Sequence, residues 1–430
     1  MIRPTETQET AQRLLSLARK EGAEFAEVMA MQNEFSLKRI RQNQVDQPPA
    51  GEQWSIDLAL VKGKRRKTVC LDNPLGVEKI IRETMERIDL LPEHEPHVPT
   101  EKFASVGQPL SLYDKKTAEL SGDRLVAFEK TLCGRKIFRP YRRTGCHVHL
   151  FFYSQSGIFD LIRFELALVV NLDDHRALGR VAAGIHVKRP GDPFETFDRG
   201  DPFLDGTLFG WLGFFGFNGL FVEHGESFIS DKVGQQVMGE NITIADDPAD
   251  NRNKGMGFPF DFEGRPRKKI VLVEQGIAKR ALYDSALAAE WGKEATCNAL
   301  PPSSRSEGAA PFDLVIEGGN TSVEEMIKHS KEPTLWITKL HYPGMKHYQT
   351  ATMTGVAQHG VFLVENGKVV SPVENVRFEE NIPEALKRVE ALSESRLVFD
   401  PLSPSLPSGV VAPAMKIKQF RFVGSTQRSI

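Results

Sequence analysis

Residues 206–222, Gly-Thr-Leu-Phe-Gly-Trp-Leu-Gly-Phe-Phe-Gly-Phe-Asn-Gly-Leu-Phe-Val, carry no charge, and the chain turns polar at once in Glu223-His224-Gly225-Glu226-Ser227. With Gly at 210, 213, 216 and 219 the run is a poor free helix, since each interior Gly costs roughly 1 kcal/mol against Ala. Packing must therefore hold it. As a helix, it places glycines three apart on one narrow face where another backbone can approach closely, while Trp211, Phe214, Phe215 and Phe217 supply bulk for burial. A buried core helix is the plainest reading; the alternative makes Gly213, Phe214, Gly216, Phe217 and Asn218 candidate substrate or subunit contacts. Its length sits at the lower limit for a bilayer span. Its glycines, its acidic flanks Asp205 and Glu223 and the lack of a second such segment argue against one.

The chain has 430 residues, 40% hydrophobic and 26% charged, which suits two or three globular domains. A formal net charge of −2 offers no general attraction for nucleic acid or anionic lipid. Cys70, Cys133, Cys146 and Cys297 are widely spaced, as expected in a reducing compartment, and the N-terminus has no apolar signal core. A cytoplasmic location is expected.

Three units are expected, 1–98, 99–195 and 196–430. In the first, Ala11, Leu14, Leu15 and Ala18 mark a helix stopped by Gly22. Strands follow over Glu27–Gln32 and Phe35–Arg41, then a third with Trp54, Ile56, Leu58 and Leu60 on one face, and a fourth around Thr68–Leu71 after the Lys62-Gly63-Lys64 turn. The basic run Lys62–Lys67 reads as a solvated turn, and a second helix presents Val77, Ile80, Ile81, Thr84 and Ile88 inward. The middle unit is expected to hold helices over 113–132 and 174–187 and strands over 145–153 and 163–172. There Cys146, His147 and His149 form the most metal-like cluster, but without further ligands at a clear spacing they do not make a site.

The third unit reads as β-rich. Strands are expected over 269–274, 277–284 and 312–317, with Thr321 or Ser322 capping a helix over 323–328. Asn366-Gly367 closes a hairpin within 361–370, and a helix near 382–392 and strands near 396–400 and 414–423 complete it. Gly318-Gly319 lacks the spacing and the lysine of a phosphate loop. The fold class expected is α+β, an N-terminal α+β part with a mixed or antiparallel sheet followed by a larger β-rich C-terminal domain.

Several segments together resemble the TldD/PmbA family, also labelled modulators of DNA gyrase. They are Asn218–Ser230 with Val233-Gly234 and Asp246-Asp247-Pro248, Tyr283-Asp284-Ser285, Gly319-Asn320-Thr321-Ser322-Val-Glu-Glu, and Gly360–Val373. Gly22-Ala23, Ala26-Glu27-Val28 and Ile40–Gln44 match its opening domain; the middle unit matches loosely. The resemblance implies a zinc peptidase branch, TldD, with a His-Glu-x-x-x-His helix and a later Cys ligand. In this chain the matching stretch, 206–222, has no His, Glu, Asp or Cys, and no Cys follows Cys297. The sequence is therefore similar to the other branch, PmbA/TldE, which implies a metal-free subunit of a peptidase acting on flexible polypeptides. No catalytic or metal-binding residue and no cofactor is expected in this chain, zinc being expected only in a TldD-like partner.

Three readings stay open. One is a subunit paired with a zinc-bearing paralogue; another is a stand-alone, non-catalytic peptide-binding homodimer. In the third, an independent peptidase, His224 between Glu223 and Glu226 would be the base, although no nucleophile elbow accompanies it. Unfolded peptide is the expected substrate class, and neither nucleic acid nor membrane is an expected partner, since no basic stripe or nucleic-acid motif is present.

Overall fold

The computed structural model describes residues 4–41, 44–47, 50–93, 146–157, 169–172, 206–253, 260–338, 340–357, 361–373, 376–398 and 409–425. The helices expected over 113–132 and 174–187 lie outside the described residues. The N-terminal part begins with α1 (Pro4–Lys20), which stops at Gly22, whose φ of 94° is left-handed backbone. Then come β1 (Phe25–Arg41), β2 (Gln44–Gln47), β3 (Ala50–Lys62), β4 (Arg65–Leu71), α2 (Val77–Arg87), β5 (Cys146–Gly157) and β6 (Val169–Leu172).

Leu14 and Ala18 of α1 and Val77, Ile81 and Met85 of α2 pack with Ile56, Leu58 and Leu60, the alternating face of β3. Two strands were expected where β1 runs unbroken. Asn33 and Glu34, which suggested a turn, stay in register with Gln53 and Glu52, because pairing with β3 on one side and β5 on the other outweighs their weak local preference. The sheet order is β4-β3-β1-β5-β6, with β2 on β1, so the strands expected in the middle unit are hydrogen-bonded to the N-terminal sheet. Cations of the basic turn are largely paired at home: Lys62 with Asp89, Arg65 with Glu93 and Arg66 with Glu27.

The C-terminal part starts with α3 (Gly206–Phe217) and α4 (Gly219–Glu223). β7 (Ile244–Asp246), β8 (Ile270–Glu274), β9 (Ile277–Ala278), α5 (Ser285–Glu290), β10 (Asp313–Ile316) and α6 (Val323–Lys328) follow. The remainder is β11 (Thr334–Ile337), β12 (Leu340–His347), β13 (Thr352–Ala357), β14 (Val361–Glu365), β15 (Lys368–Pro372), β16 (Val376–Asn381), α7 (Ile382–Leu386), β17 (Val389–Leu392), β18 (Arg396–Val398), β19 (Gly409–Ala412), β20 (Met415–Ile417) and β21 (Phe422–Ser425). The strands form sheets ordered β18-β19-β10-β7-β8-β9, β11-β14-β15, β12-β13-β16-β21 and β17-β20, antiparallel except for β10 against β19. α6 opens on a capping box from Ser322 and Glu325, and Asn366 and Gly367 turn between β14 and β15 with φ of 49° and 76°. α7 is shorter than expected, because β17 takes up its second half to pair with β20.

One buried charge cluster fixes this part. Asp246, at the end of β7, accepts from the backbone N–H groups of Phe312 and Asp313, from Asn298 Nδ2 and from Arg267. Arg267 also reaches Asp313 at 2.6 Å and lies 5.0 Å from the centre of the Phe312 ring. All three charged side chains are shut off from water, so the cation is tolerated only because two carboxylates face it. Arg267→Leu leaves both carboxylates without their cation and is expected to cost about 3–5 kcal/mol in denaturant unfolding.

Candidate functional site

α3 ends where the Asn218 backbone turns extended, with φ −70° and ψ 120°. The Asn218 side chain starts α4 by accepting from Leu220 N at 3.0 Å, a role for which Asn is a favoured residue. The same Oδ1 accepts from Ala309 N at 3.2 Å, and Nδ2 donates to Glu307 O at 2.7 Å. An amide suits this place, since it carries a donor nitrogen and a separate acceptor oxygen on one short side chain. Around it the backbone pairs with a neighbouring segment, Gly219 N to Leu282 O and Leu282 N to Phe217 O. A Cβ at Gly219 would stand 2.6 Å from Leu282 O and from the Tyr283 ring, so this glycine is required by space. Beyond the break, Ser227 Oγ donates to Gly216 O at 2.6 Å and Ser230 Oγ to Val222 O at 2.9 Å, satisfying helix-end carbonyls.

The two sides of α3 differ. On the inner side, Phe209, Leu212 and Phe217 are fully buried, and Gly213 and Gly216 lie against Pro311, Leu314 and Phe228. The close approach those glycines permit is used within the chain. On the outer side Trp211 is 40% exposed and Tyr348, just past β12, is 39% exposed. Trp211 stacks on Phe215 at 5.2 Å, Phe215 meets Tyr348 edge-on at 5.0 Å, and Phe221 stacks on Tyr348 at 5.8 Å. Of the candidate contacts, Gly213, Gly216, Phe217 and Asn218 thus point into the domain; Phe214, half-buried, meets Phe215 and Phe221 edge-on. Of the four aromatics expected to supply buried bulk, Phe217 alone is fully enclosed. An all-apolar helix carries no polar stripe to tell its sides apart, and nothing in sequence links Tyr348 to it.

The residues of α3, Gly206–Phe217, include no thiolate, imidazole or carboxylate for a metal. Among the described residues no group of three or more His, Cys, Asp or Glu is placed to hold a metal ion. His147 and His149 lie on β5 opposite Arg41 and Arg39. Glu223 does not orient His224: its carboxylate takes the Tyr283 hydroxyl at 2.5 Å and Lys293 Nζ at 3.2 Å. His224 instead caps α4 in the open, its ring 6.1 Å from that of Trp291. Burial, and then the bond to Glu223, push the Tyr283 phenol up. Asp284 caps α5 through Leu287 N at 2.7 Å, and its carboxyl is pushed up to about 6, chiefly by burial.

A family model for the PmbA/TldA metallopeptidase C-terminal domain matches residues 201–424, and the chain belongs to this metallopeptidase family. It is 27% identical over 210 residues to a metalloprotease of Methanothermobacter thermautotrophicus, covering 47% of this chain and 44% of that one. To the metalloprotease TldD homolog of Buchnera aphidicola subsp. Acyrthosiphon pisum it is 23% identical over 220 residues, 49% of this chain and 44% of the relative. The chain thus spans less than half the length of these curated relatives. Among solved structures, TldE of Thermococcus kodakarensis superposes with a TM-score of 0.67 at 18% identity, covering 96% of this chain and 100% of that one. A candidate modulator of a DNA gyrase from Thermotoga maritima gives 0.65 at 17% identity over 97% and 100%. These likenesses establish the α+β fold with its β-rich C-terminal part. No helix among the described residues is long and apolar enough to cross a membrane.

Gly216→Leu is expected to overpack Phe228, cost roughly 1–3 kcal/mol in thermal unfolding and leave any association of the folded fraction unchanged. Asp284→Asn keeps the cap and removes a pH dependence. A carboxyl raised from its ordinary 3.8 to about 6 contributes stability that is full below 3.8 and lost as pH rises through 6. Unfolding midpoints of the variant should therefore fall less than those of the parent across that window.

Proposed function

We propose that this chain is the TldE-like, metal-free subunit of a TldD/TldE-type metallopeptidase acting on flexible polypeptides. It supplies shape and substrate or partner contacts, and a zinc-bearing TldD-like paralogue supplies the chemistry. The observation that carries this reading is α3 itself, whose residues Gly206–Phe217 include no His, Cys, Asp or Glu, where the family resemblance implies that the peptidase branch carries its zinc ligands. Hydrolysis near neutral pH by a zinc peptidase needs a metal to lower the pKa of bound water to about 7. With ligands on one chain only, the second chain is free to turn the same helix into a packing and contact element. Likeness to the solved TldE fold over nearly the whole chain supports the assignment.

The outer aromatics Trp211, Phe215, Phe221 and Tyr348 are the contacts proposed for the partner or its peptide, since large half-exposed rings contribute most where they become fully desolvated. The cytoplasm is the proposed location.

Elemental analysis of the chain, purified without chelator or affinity tag, should find zinc far below one atom per chain, and the chain alone should leave unfolded peptides intact. Mixing with the zinc-bearing paralogue should produce chelator-sensitive cleavage. Stoichiometric zinc in the isolated chain would overturn the proposal and direct attention to Cys146, His147 and His149. Chelator-insensitive cleavage abolished by His224→Ala would instead favour an independent peptidase.

A further inference from the structure

We infer that residues 300–310 are a strap through which the N-terminal sheet sets the order of the α3–α4 break. At its start the strap is held by the N-terminal part. Thr68 Oγ1 of β4 donates to Pro302 O at 3.3 Å, and Ser303 donates to the buried Asp57 of β3 from both its backbone N–H, at 3.2 Å, and its hydroxyl. Arg305 Nη2 then reaches Glu27 Oε1 of β1 at 2.7 Å.

The other arms of Arg305 bind the C-terminal part: Nε donates to Leu300 O at 2.8 Å, Nη1 to Glu263 Oε1 at 3.1 Å and Nη2 also to Phe262 O at 3.2 Å. Two residues further on, Glu307 O accepts from Asn218 Nδ2, and Ala309 N donates to Asn218 Oδ1. Gly308 between them, at φ 90°, faces the Asn218 amide so closely that no Cβ fits. A handful of consecutive residues therefore joins β1, β3 and β4 to the buried amide that starts α4.

Two properties make this a coupling and more than a tether. The Arg305, Glu27 and Glu263 side chains are 11%, 17% and 5% exposed, so solvent and salt screen their attraction weakly. Arg66 shares Glu27 at 3.2 Å and Arg265 lies 3.6 Å from Glu263, so each carboxylate at the junction faces a second cation besides Arg305. At the far end Asn218 is wholly buried, and an amide there either has its strap partners or loses them without water to replace them. Releasing the strap from β1 and β3 carries Glu307 O and Ala309 N off Asn218. The break then loosens, along with the Phe221 and Tyr348 rings that follow it.

Hydrogen exchange read by mass spectrometry on the full chain tests this. Glu27→Gln, and independently the milder Ser303→Ala, should speed exchange in peptides covering 218–224 about tenfold, as loss of a hydrogen bond to a charged group gives, while β7, β8 and β10 exchange as in the parent. Arg66→Gln, which spares the strap, should leave 218–224 unchanged. Faster exchange confined to 300–307, with 218–224 as in the parent, would overturn the inference. Uniform acceleration throughout the C-terminal part in both variants would overturn it as well, since that is loss of global stability.

Discussion

The buried side chain of Asn218 is the constraint on which the surroundings of α3 depend. It ends one helix, begins the next and meets Glu307 and Ala309, using donor and acceptor atoms of a single amide. Leaving such a group unsatisfied in the interior costs about 1–3 kcal/mol, so the segments converging on it are held in one arrangement. Gly308 follows from it, because a Cβ there would collide with the amide, while Gly219 is required by the adjoining backbone pairing, where a Cβ would meet Leu282 O and the Tyr283 ring. The inner glycine side of α3 and the outer aromatic side are then fixed by where the helix stops.

That geometry gives the proposed division of labour a physical form. A helix with ligands one turn apart binds a metal and must keep those groups pointed at it. The element in this chain packs its glycines on Phe228, Pro311 and Leu314 and stacks Trp211 on Phe215, which meets Tyr348. The buried cluster of Arg267, Asp246 and Asp313 holds the sheet beneath, and its residues are spent on the fold. Likewise, Asp284 caps α5, the Tyr283 hydroxyl donates to Glu223, and Glu263 accepts from Ser285 and Arg305.

Much of the fold was legible in the sequence where local chemistry decides it. The alternation of Ile56, Leu58 and Leu60, the stop at Gly22, the Ser322 cap and the Asn366-Gly367 hairpin all rest on interactions within a few residues. Legibility failed where distant pairing decides. Asn33 and Glu34 resemble a turn until β3 and β5 are placed on either side of them. For the site, position 218 stood out by its setting, but its partners at 307 and 309 carry no signal, since they act through backbone atoms. The outer aromatic face was hidden for a similar reason: apolar side chains surround α3, and only the fold shows which of them reach solvent and meet Tyr348.

The most direct test of the division of labour is native mass spectrometry of the complex purified from the cell that makes this chain. A particle containing this chain and a zinc-bearing paralogue, with metal retained by the paralogue alone after gentle dissociation, is the predicted result. A homo-oligomer of this chain carrying one zinc in each subunit would contradict it.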